Sequence, residues 1–238
     1  MTGAARPDIS RSVGRAARPL LIVGLALLPR VAAPQADVEA RGRYADVARA
    51  LAPVVERARA ERSIPAISLA LVEGSRIVWA RGFGWSDSAH GIPATASTVY
   101  RVGSVSKLFT DIGVMQLVER RELDLDAPVT RYLPDFQPKN PFGDAITIRQ
   151  LTSHRAGLVR EPPVGNYFDD TEPTLEATVA SLSGTALVYR PGTHAKYSNA
   201  GIAVLGYLLE RTRGESFYTY LERAVLEPIG MTESAFRP

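Results

Sequence analysis

The stretch Tyr100-Arg-Val-Gly-Ser-Val-Ser-Lys-Leu-Phe-Thr110 decides how the rest of the chain is interpreted. Apolar residues recur at helical spacing after it, which predicts a helix from Ser104 to about Arg121. Ser104 and Lys107 are three residues apart, so a helix places both side chains on one face. A helix N-terminus also has unpaired backbone N–H groups, which would favour a negative charge developing beside Ser104.

The motif Ser104-Val-Ser-Lys107 is weak on its own, because a capping serine followed by a solvated lysine gives the same pattern. The composition favours a chemical role for the lysine. The chain has 28 basic residues, of which only Lys107, Lys139 and Lys196 are lysines. A desolvated lysine can lose its proton and act as a base, whereas an arginine cannot.

A second motif, Tyr197-Ser198-Asn199, precedes an apolar helix predicted from Asn199 to Arg213 and closed by Gly214. A phenol at Tyr197 could exchange a proton with Ser104, and the Asn199 amide could bind a substrate carbonyl. The alternative is local: Ser198 or Asn199 caps the helix, and Tyr197 is a packing residue. The residues alone leave both interpretations open.

The remaining pattern predicts an α+β domain. Strand-like runs at Ile67–Val72 and Arg76–Gly84 form a predicted hairpin, and loops are expected at 93–98 and 160–174. Further helices are predicted at Tyr44–Arg62, Leu175–Leu182 and Ser216–Leu226. A two-stranded hairpin is marginal in isolation, so further strands are expected, and the chain reaches Pro238 without supplying them.

Several segments together resemble the class C β-lactamases and their penicillin-binding-protein-like relatives, which include esterases and D-Ala-D-Ala carboxypeptidases. The resemblance covers roughly residues 45–236. The matching segments are Tyr100–Thr110, Leu123-Asp-Leu-Asp-Ala-Pro-Val129, Ile146-Thr-Ile-Arg-Gln-Leu-Thr-Ser-His154, Gly157-Leu158, Pro191-Gly192, Tyr197-Ser-Asn-Ala-Gly201 and Pro228-Ile-Gly-Met231.

The resemblance implies a β-lactamase/transpeptidase-like fold, with an antiparallel sheet flanked by helices and a mostly helical region. It implies an acyl-enzyme formed by attack of Ser104 on a β-lactam, ester or D-amino-acid peptide carbonyl. Lys107 and Tyr197 would jointly manage the proton, and Asn199 would bind substrate. The expected partner is a small-molecule or peptide acyl substrate, and no metal or organic cofactor is expected.

One departure from the family is the absence of its third motif, Lys-Thr-Gly or His-x-Gly. The expectation is therefore a serine hydrolase domain at 37–238 that lacks C-terminal sheet strands and is a piece of a longer enzyme. The alternative function is a catalytically inactive binder of β-lactams or peptidoglycan peptides, or an inert fragment.

Residues 1–36 are predicted to be a signal peptide, with arginines before an apolar run and small residues after it. They hold five Arg and one Asp, a net charge of +4, so the chain falls from +3 to −1 without them. The basic charge therefore predicts no nucleic-acid partner. The expected location is periplasmic or secreted, with no stable membrane span after processing; the oligomeric state is not predicted.

The other titratable residues predict little chemistry. Zero cysteines exclude disulfides and thiolate catalysis. His90, His154 and His194 have no helical metal spacing, and a Ser-His-Asp triad lacks the Gly-x-Ser-x-Gly elbow. His154 is expected at a structural helix end. Asp111, a charge within an apolar helix, is expected to face solvent or to be paired.

Overall fold

The computed structural model describes residues 37–236, so the predicted signal peptide at 1–36 lies outside the described residues. The first element is α1 (Arg43–Glu61), followed by the strands β1 (Ala66–Glu73), β2 (Arg76–Asp87) and β3 (Ile92–Pro93). The later helices are α2 (Ser106–Glu119), α3 (Ile148–Thr152), α4 (Leu175–Ser181), α5 (Asn199–Arg213) and α6 (Phe217–Leu221).

The three strands form one antiparallel sheet in the order β1-β2-β3. The register pairs Ala66 with Gly84 and Glu73 with Arg76, and Gly74 takes a positive φ of 61° in the connecting turn. The predicted hairpin is thus confirmed. β2 runs on to Asp87, where it pairs with β3, although Pro93 was predicted to begin a loop.

Helix α1 covers one face of the sheet. Trp79 and Phe83 of β2 are buried against Ala48 of α1, with the partly buried Leu51 and Val55 beside them. The helical spacing of the apolar residues in α1 produces this contact, because it gathers them into one stripe. This small cluster fixes the hairpin to α1.

The main core lies among α2, α3, α4, α5 and α6. Val204, Leu205, Leu208 and Leu209 of α5 are fully buried there, together with Val114 and Leu117 of α2. Gly113 lets α2 approach closely, because a Cβ at this position would lie 3.2 Å from Leu209 Cδ1 and 2.8 Å from Leu221 Cδ2. The contact between α2 and α5 positions the two sequence motifs.

Helix α5 has the ends that the sequence predicts. Ser198 is its N-cap and accepts a hydrogen bond from the backbone N–H of Gly201 at 2.9 Å. Gly214 closes it in the left-handed conformation at φ 67°, which costs glycine little. Tyr197 therefore lies just before a well-anchored helix, next to the extended N-cap residue Ser198.

Two helices differ from the prediction. The segment Gly103–Val105 is a 3-10 turn and α2 begins only at Ser106, whereas a helix starting at Ser104 was predicted. Gly103 has a φ of 53°, a left-handed conformation that a regular helix does not admit. The last predicted helix is α-helical only through Leu221 and continues as a π-helical segment, Glu222–Leu226.

The expectation for Asp111 is wrong. Its Oδ1 atom is buried and has no hydrogen-bond partner among the described residues. Desolvation by burial raises the pKa of this carboxyl from 3.8 to about 6. The side chain is thus half-buried, and one of its carboxylate oxygens is shielded from solvent without a partner.

Asp111→Asn is expected to raise stability at neutral pH by about 1 kcal/mol, since solvent still screens this half-buried carboxyl. Such a change shifts the unfolding temperature of a domain this size by about 2–4 °C. Asp111 ionises near pH 4 in the unfolded chain and near pH 6 in the folded chain. As the pH rises from 4 to 6, the free energy of unfolding of wild type should therefore fall relative to that of the variant.

Thermal unfolding from pH 4 to pH 7.5 measures this difference, with Asp170→Asn as the control. Asp170 is exposed, so the same charge is removed without relieving burial. A difference in unfolding temperature between wild type and Asp111→Asn that does not change with pH would contradict the burial argument.

Within residues 37–236, no helix is long and apolar enough to cross a membrane.

Candidate active site

The two sequence motifs meet at Ser104. The Nζ atom of Lys107 lies 3.1 Å from Ser104 Oγ, and the hydroxyl of Tyr197 lies 2.6 Å from the same atom. Lys107 Nζ is also 4.9 Å from the centre of the Tyr197 ring. The structure therefore brings together three of the four predicted site residues, although 93 residues separate Ser104 from Tyr197 along the chain.

The position of each group follows from local structure. Ser104 sits in the 3-10 turn that precedes α2, and Lys107 is in the first turn of α2. Tyr197 comes just before the N-cap of α5. Both motifs thus lie at the N-terminal ends of two packed helices, where backbone N–H groups are available.

The environment lowers the pKa of Tyr197 below its ordinary value. The largest cause is the hydrogen-bonding interaction with Lys107, followed by that with Ser104 and by the positive charges of Lys107 and Arg160. The Arg160 guanidinium carbon is 5.4 Å from the ring centre. A phenol next to two cations exchanges its proton more readily at neutral pH than an isolated tyrosine does.

His154 packs against the segment Tyr197-Ser198. Its ring centre is 4.5 Å from that of Tyr197, and its Nδ1 accepts a hydrogen bond of 3.3 Å from the backbone N–H of Ser198. Burial, and secondarily the charge of Lys107, lower the pKa of His154. The neutral imidazole therefore helps to fix the chain at Tyr197. From the sequence, His154 was expected to have only a structural role at a helix end.

Asn199, the predicted substrate-binding residue, is fixed by the segment Arg160-Glu161. Its backbone N–H donates to the carbonyl oxygen of Arg160 at 2.7 Å. Its side-chain Nδ2 donates to Glu161 Oε1 at 2.6 Å. One Nδ2 hydrogen is thus engaged and the other is available to a ligand.

The sequence interpretation missed Arg160 and Glu161. Both fall at the start of the predicted loop 160–174, and the family resemblance there ends at Gly157-Leu158. Two adjacent opposite charges beside that segment were the available signal, but charges in loops are common. Within residues 37–236, no group of three or more His, Cys, Asp or Glu side chains could hold a metal ion.

The fold is that of a β-lactamase-like protein. The sequence profile of the Beta-lactamase family matches residues 51–238. The chain therefore belongs to this family, the β-lactamase and penicillin-binding-protein-like serine hydrolases that the sequence resembles.

Individual relatives agree with this assignment. Esterase EstB of Burkholderia gladioli is 30% identical over 205 residues, which cover 81% of this chain and 52% of EstB. EstCE1, a hydrolase with promiscuous acyltransferase activity, has a TM-score of 0.70 at 29% identity, covering 78% of this chain and 53% of EstCE1. The D-amino acid amidase from Ochrobactrum anthropi SV3, solved with D-phenylalanine, has a TM-score of 0.65 at 25% identity, covering 75% and 49%.

The chain spans about half the length of these relatives. Protein flp of Staphylococcus aureus, 24% identical over 185 residues, is matched over 37% of its own length. Activity, substrates and partners of the whole relatives are therefore not carried over to this chain as findings.

Proposed function

We propose that this protein is a serine hydrolase that forms an acyl-enzyme through Ser104. The supporting observation is the pair of contacts on Ser104 Oγ, 3.1 Å from Lys107 Nζ and 2.6 Å from the Tyr197 hydroxyl. A nucleophile within hydrogen-bond distance of two groups that can exchange its proton is the arrangement that covalent acyl transfer needs. The candidate substrates are β-lactams, esters and D-amino-acid peptide or amide bonds.

The proposed reaction has two steps. In the first, Ser104 Oγ bonds to the substrate carbonyl carbon and its proton passes through Tyr197 and Lys107 to the leaving nitrogen or oxygen, whose bond to that carbon breaks. In the second, water attacks the same carbon, the ester bond to Ser104 breaks, and a proton from that water passes through Tyr197 and Lys107 to Oγ. The backbone N–H of Ser104 would donate to the oxyanion, and the free hydrogen of Asn199 Nδ2 to the substrate.

Tyr197 and Lys107 are proposed to act jointly. The pKa of Tyr197 is lowered chiefly by Lys107, so proton loss from the phenol and charge on the lysine are linked. The proton of Ser104 is therefore assigned to the two groups together and to neither group alone.

A second candidate function is a protein that binds β-lactams or peptidoglycan peptides without turnover. A stable acyl adduct on Ser104 would produce such a protein, so the two contacts on Ser104 Oγ support this candidate as well. Export to the periplasm or medium is likewise a proposal, resting on residues 1–36.

The decisive experiment is intact-mass analysis of the purified chain after exposure to a fluorescent penicillin. We expect an adduct on wild type, located by peptide mapping to the segment that contains Ser104, and none on Ser104→Ala. Ser106→Ala is the matched control, because it removes a neighbouring hydroxyl and leaves the three site contacts in place. An adduct that decays shows turnover, an adduct that persists favours the binder, and a folded wild type without an adduct contradicts reaction of Ser104 with β-lactams.

A further inference from the structure

We propose that His154 is a positioning residue, whose neutral imidazole holds Tyr197 where it can exchange a proton with Ser104, so that acylation slows when the imidazole is protonated. The inference rests on the proposed function, since it concerns the group that takes the proton of the nucleophile. Its starting observation is a histidine in a backbone conformation that usually belongs to glycine.

His154 ends helix α3 in a left-handed conformation. It follows Ser153, the C-cap of α3, with a φ of 57°. Its N–H donates to the carbonyl oxygen of Leu151 at 3.1 Å, and the N–H of Arg155 donates to that of Gln150 at 2.7 Å. These two bonds form a Schellman ending, whose left-handed residue is most often glycine because a Cβ there is unfavourable. A strained residue of this kind points to a side chain with a function.

The same residue holds the chain on both sides of Tyr197. The His154 carbonyl oxygen accepts a hydrogen bond from the N–H of Lys196 at 2.8 Å, and its Nδ1 accepts one from the N–H of Ser198 at 3.3 Å. Its ring centre lies 4.5 Å from that of Tyr197, with the ring planes at 40°. The 2.6 Å contact of the Tyr197 hydroxyl with Ser104 Oγ therefore depends on how His154 is held.

Only a neutral imidazole can make the contact with Ser198. Nδ1 accepts a hydrogen bond when the ring proton is on Nε2, whereas a protonated ring carries a donor on both nitrogens. Protonation of His154 would place an N–H opposite the N–H of Ser198 and would remove this anchor. It would also add a positive charge beside the ring of Tyr197.

The surroundings of His154 favour the neutral form. Tyr197 stacks on its ring, and Lys107 of α2 acts on its charge. Arg160 contacts the same Tyr197 ring, with its guanidinium carbon 5.4 Å from the ring centre, and pairs with Glu161. Burial, followed by the charge of Lys107, lowers the pKa of His154 below its ordinary 6.5. The imidazole is therefore neutral at pH 7, and its hold on Tyr197 is lost as the pH falls below that pKa.

Two substitutions separate the imidazole from the backbone. His154→Asn tolerates the left-handed φ and keeps an acceptor near the position of Nδ1, but it cannot be protonated. His154→Gly relieves the φ and removes both the acceptor and the ring. At pH 7.5, acylation by a fluorescent penicillin should be within about 3-fold of wild type in His154→Asn and about 10–10²-fold slower in His154→Gly. The unfolding temperature of His154→Gly should stay within about 4 °C of wild type.

The ratio of the acylation rates of wild type and His154→Asn isolates the titration of His154, because the other titrating groups are common to both proteins. This ratio should be constant above pH 7 and should fall in acid, by up to about 10-fold per pH unit below the pKa of His154. His194→Asn is the matched control, since His194 is exposed and stacks on Tyr189. Its acylation rate should follow that of wild type at every pH.

Two kinetic results would overturn the inference. One is a His154→Gly variant that is acylated at the wild-type rate, which would show that the imidazole does not position Tyr197. The other is a ratio of wild type to His154→Asn that does not change between pH 5 and pH 8.

An NMR titration separates this inference from the proposed function. The chain has three histidines, so the His154 and His194 variants assign their ring signals, and Tyr197→Phe assigns the phenol carbon of Tyr197. At neutral pH the nitrogen shifts of His154 should show a proton on Nε2 and none on Nδ1, and the Tyr197 signal should move where His154 titrates. Both results support the positioning role even if no penicillin forms an adduct. A proton on Nδ1, or a Tyr197 signal that does not respond to the titration of His154, overturns it even if Ser104 is acylated.

Discussion

Replacement of Tyr197 with phenylalanine is expected to slow acylation of Ser104 by about 10²–10⁴-fold, the usual contribution of a positioned acid–base group. The variant loses only the hydroxyl that lies 2.6 Å from Ser104 Oγ. The ring, which packs 4.5 Å from His154, remains. Because the ring is 37% exposed, the unfolding temperature should change little.

The measurement is the rate of adduct formation with a fluorescent penicillin, together with thermal unfolding. Tyr218→Phe is the control, because Tyr218 is 41% exposed and makes no contact with Ser104, Lys107 or Asn199 among the contacts described. A Tyr197→Phe variant that is acylated at the wild-type rate would remove the phenol from the mechanism and leave Lys107 alone.

Lys107→Arg is expected to produce a loss of similar size, about 10²–10⁴-fold, although it preserves the positive charge. The Nζ atom is 3.1 Å from Ser104 Oγ and can pass on a proton. A guanidinium keeps its protons at all accessible pH values and is planar and longer. The substitution therefore separates proton transfer from electrostatic stabilisation.

Acylation rates across pH 6–9 measure this effect, with Lys139→Arg as a control at an exposed site. Wild type should show a rise with pH as Tyr197, whose pKa is lowered chiefly by Lys107, loses its proton, and Lys107→Arg should react more slowly throughout. Retention of both the rate and the pH dependence in Lys107→Arg would show that the lysine acts only through its charge.

The sequence was sufficient for the larger elements because their signals are local. The apolar stripe of α1, the turn at Gly74 and the caps of α5 at Ser198 and Gly214 depend on neighbours within a few residues. The start of α2 was predicted two residues early, because apolar spacing does not distinguish the 3-10 turn at Gly103–Val105 from the first turn of an α-helix. Asp111 was misjudged since burial depends on elements distant in the chain.

The site also contains residues that the sequence predicts and residues that it does not. Ser104, Lys107, Tyr197 and Asn199 were predicted from motifs, but the 2.6 Å approach of Tyr197 to Ser104 is set by helix packing that no spacing encodes. Arg160 and Glu161 could not be predicted, because their role depends on hydrogen bonds with Asn199, which is 39 and 38 residues away in the chain. Their loop position looked like an ordinary solvated surface.

The close approach of α2 and α5 at Gly113 has a consequence for how such a protein can diversify. Ser104 and Lys107 lie at the N-terminal end of α2, while Tyr197 directly precedes α5, so a substitution at Gly113 that moved α2 away from α5 would also change the contact on the nucleophile. Reactivity would then depend on a residue of the interior that touches no substrate. New specificities are free to arise instead in the loop that begins at Arg160, where side chains can change without moving the two helices apart.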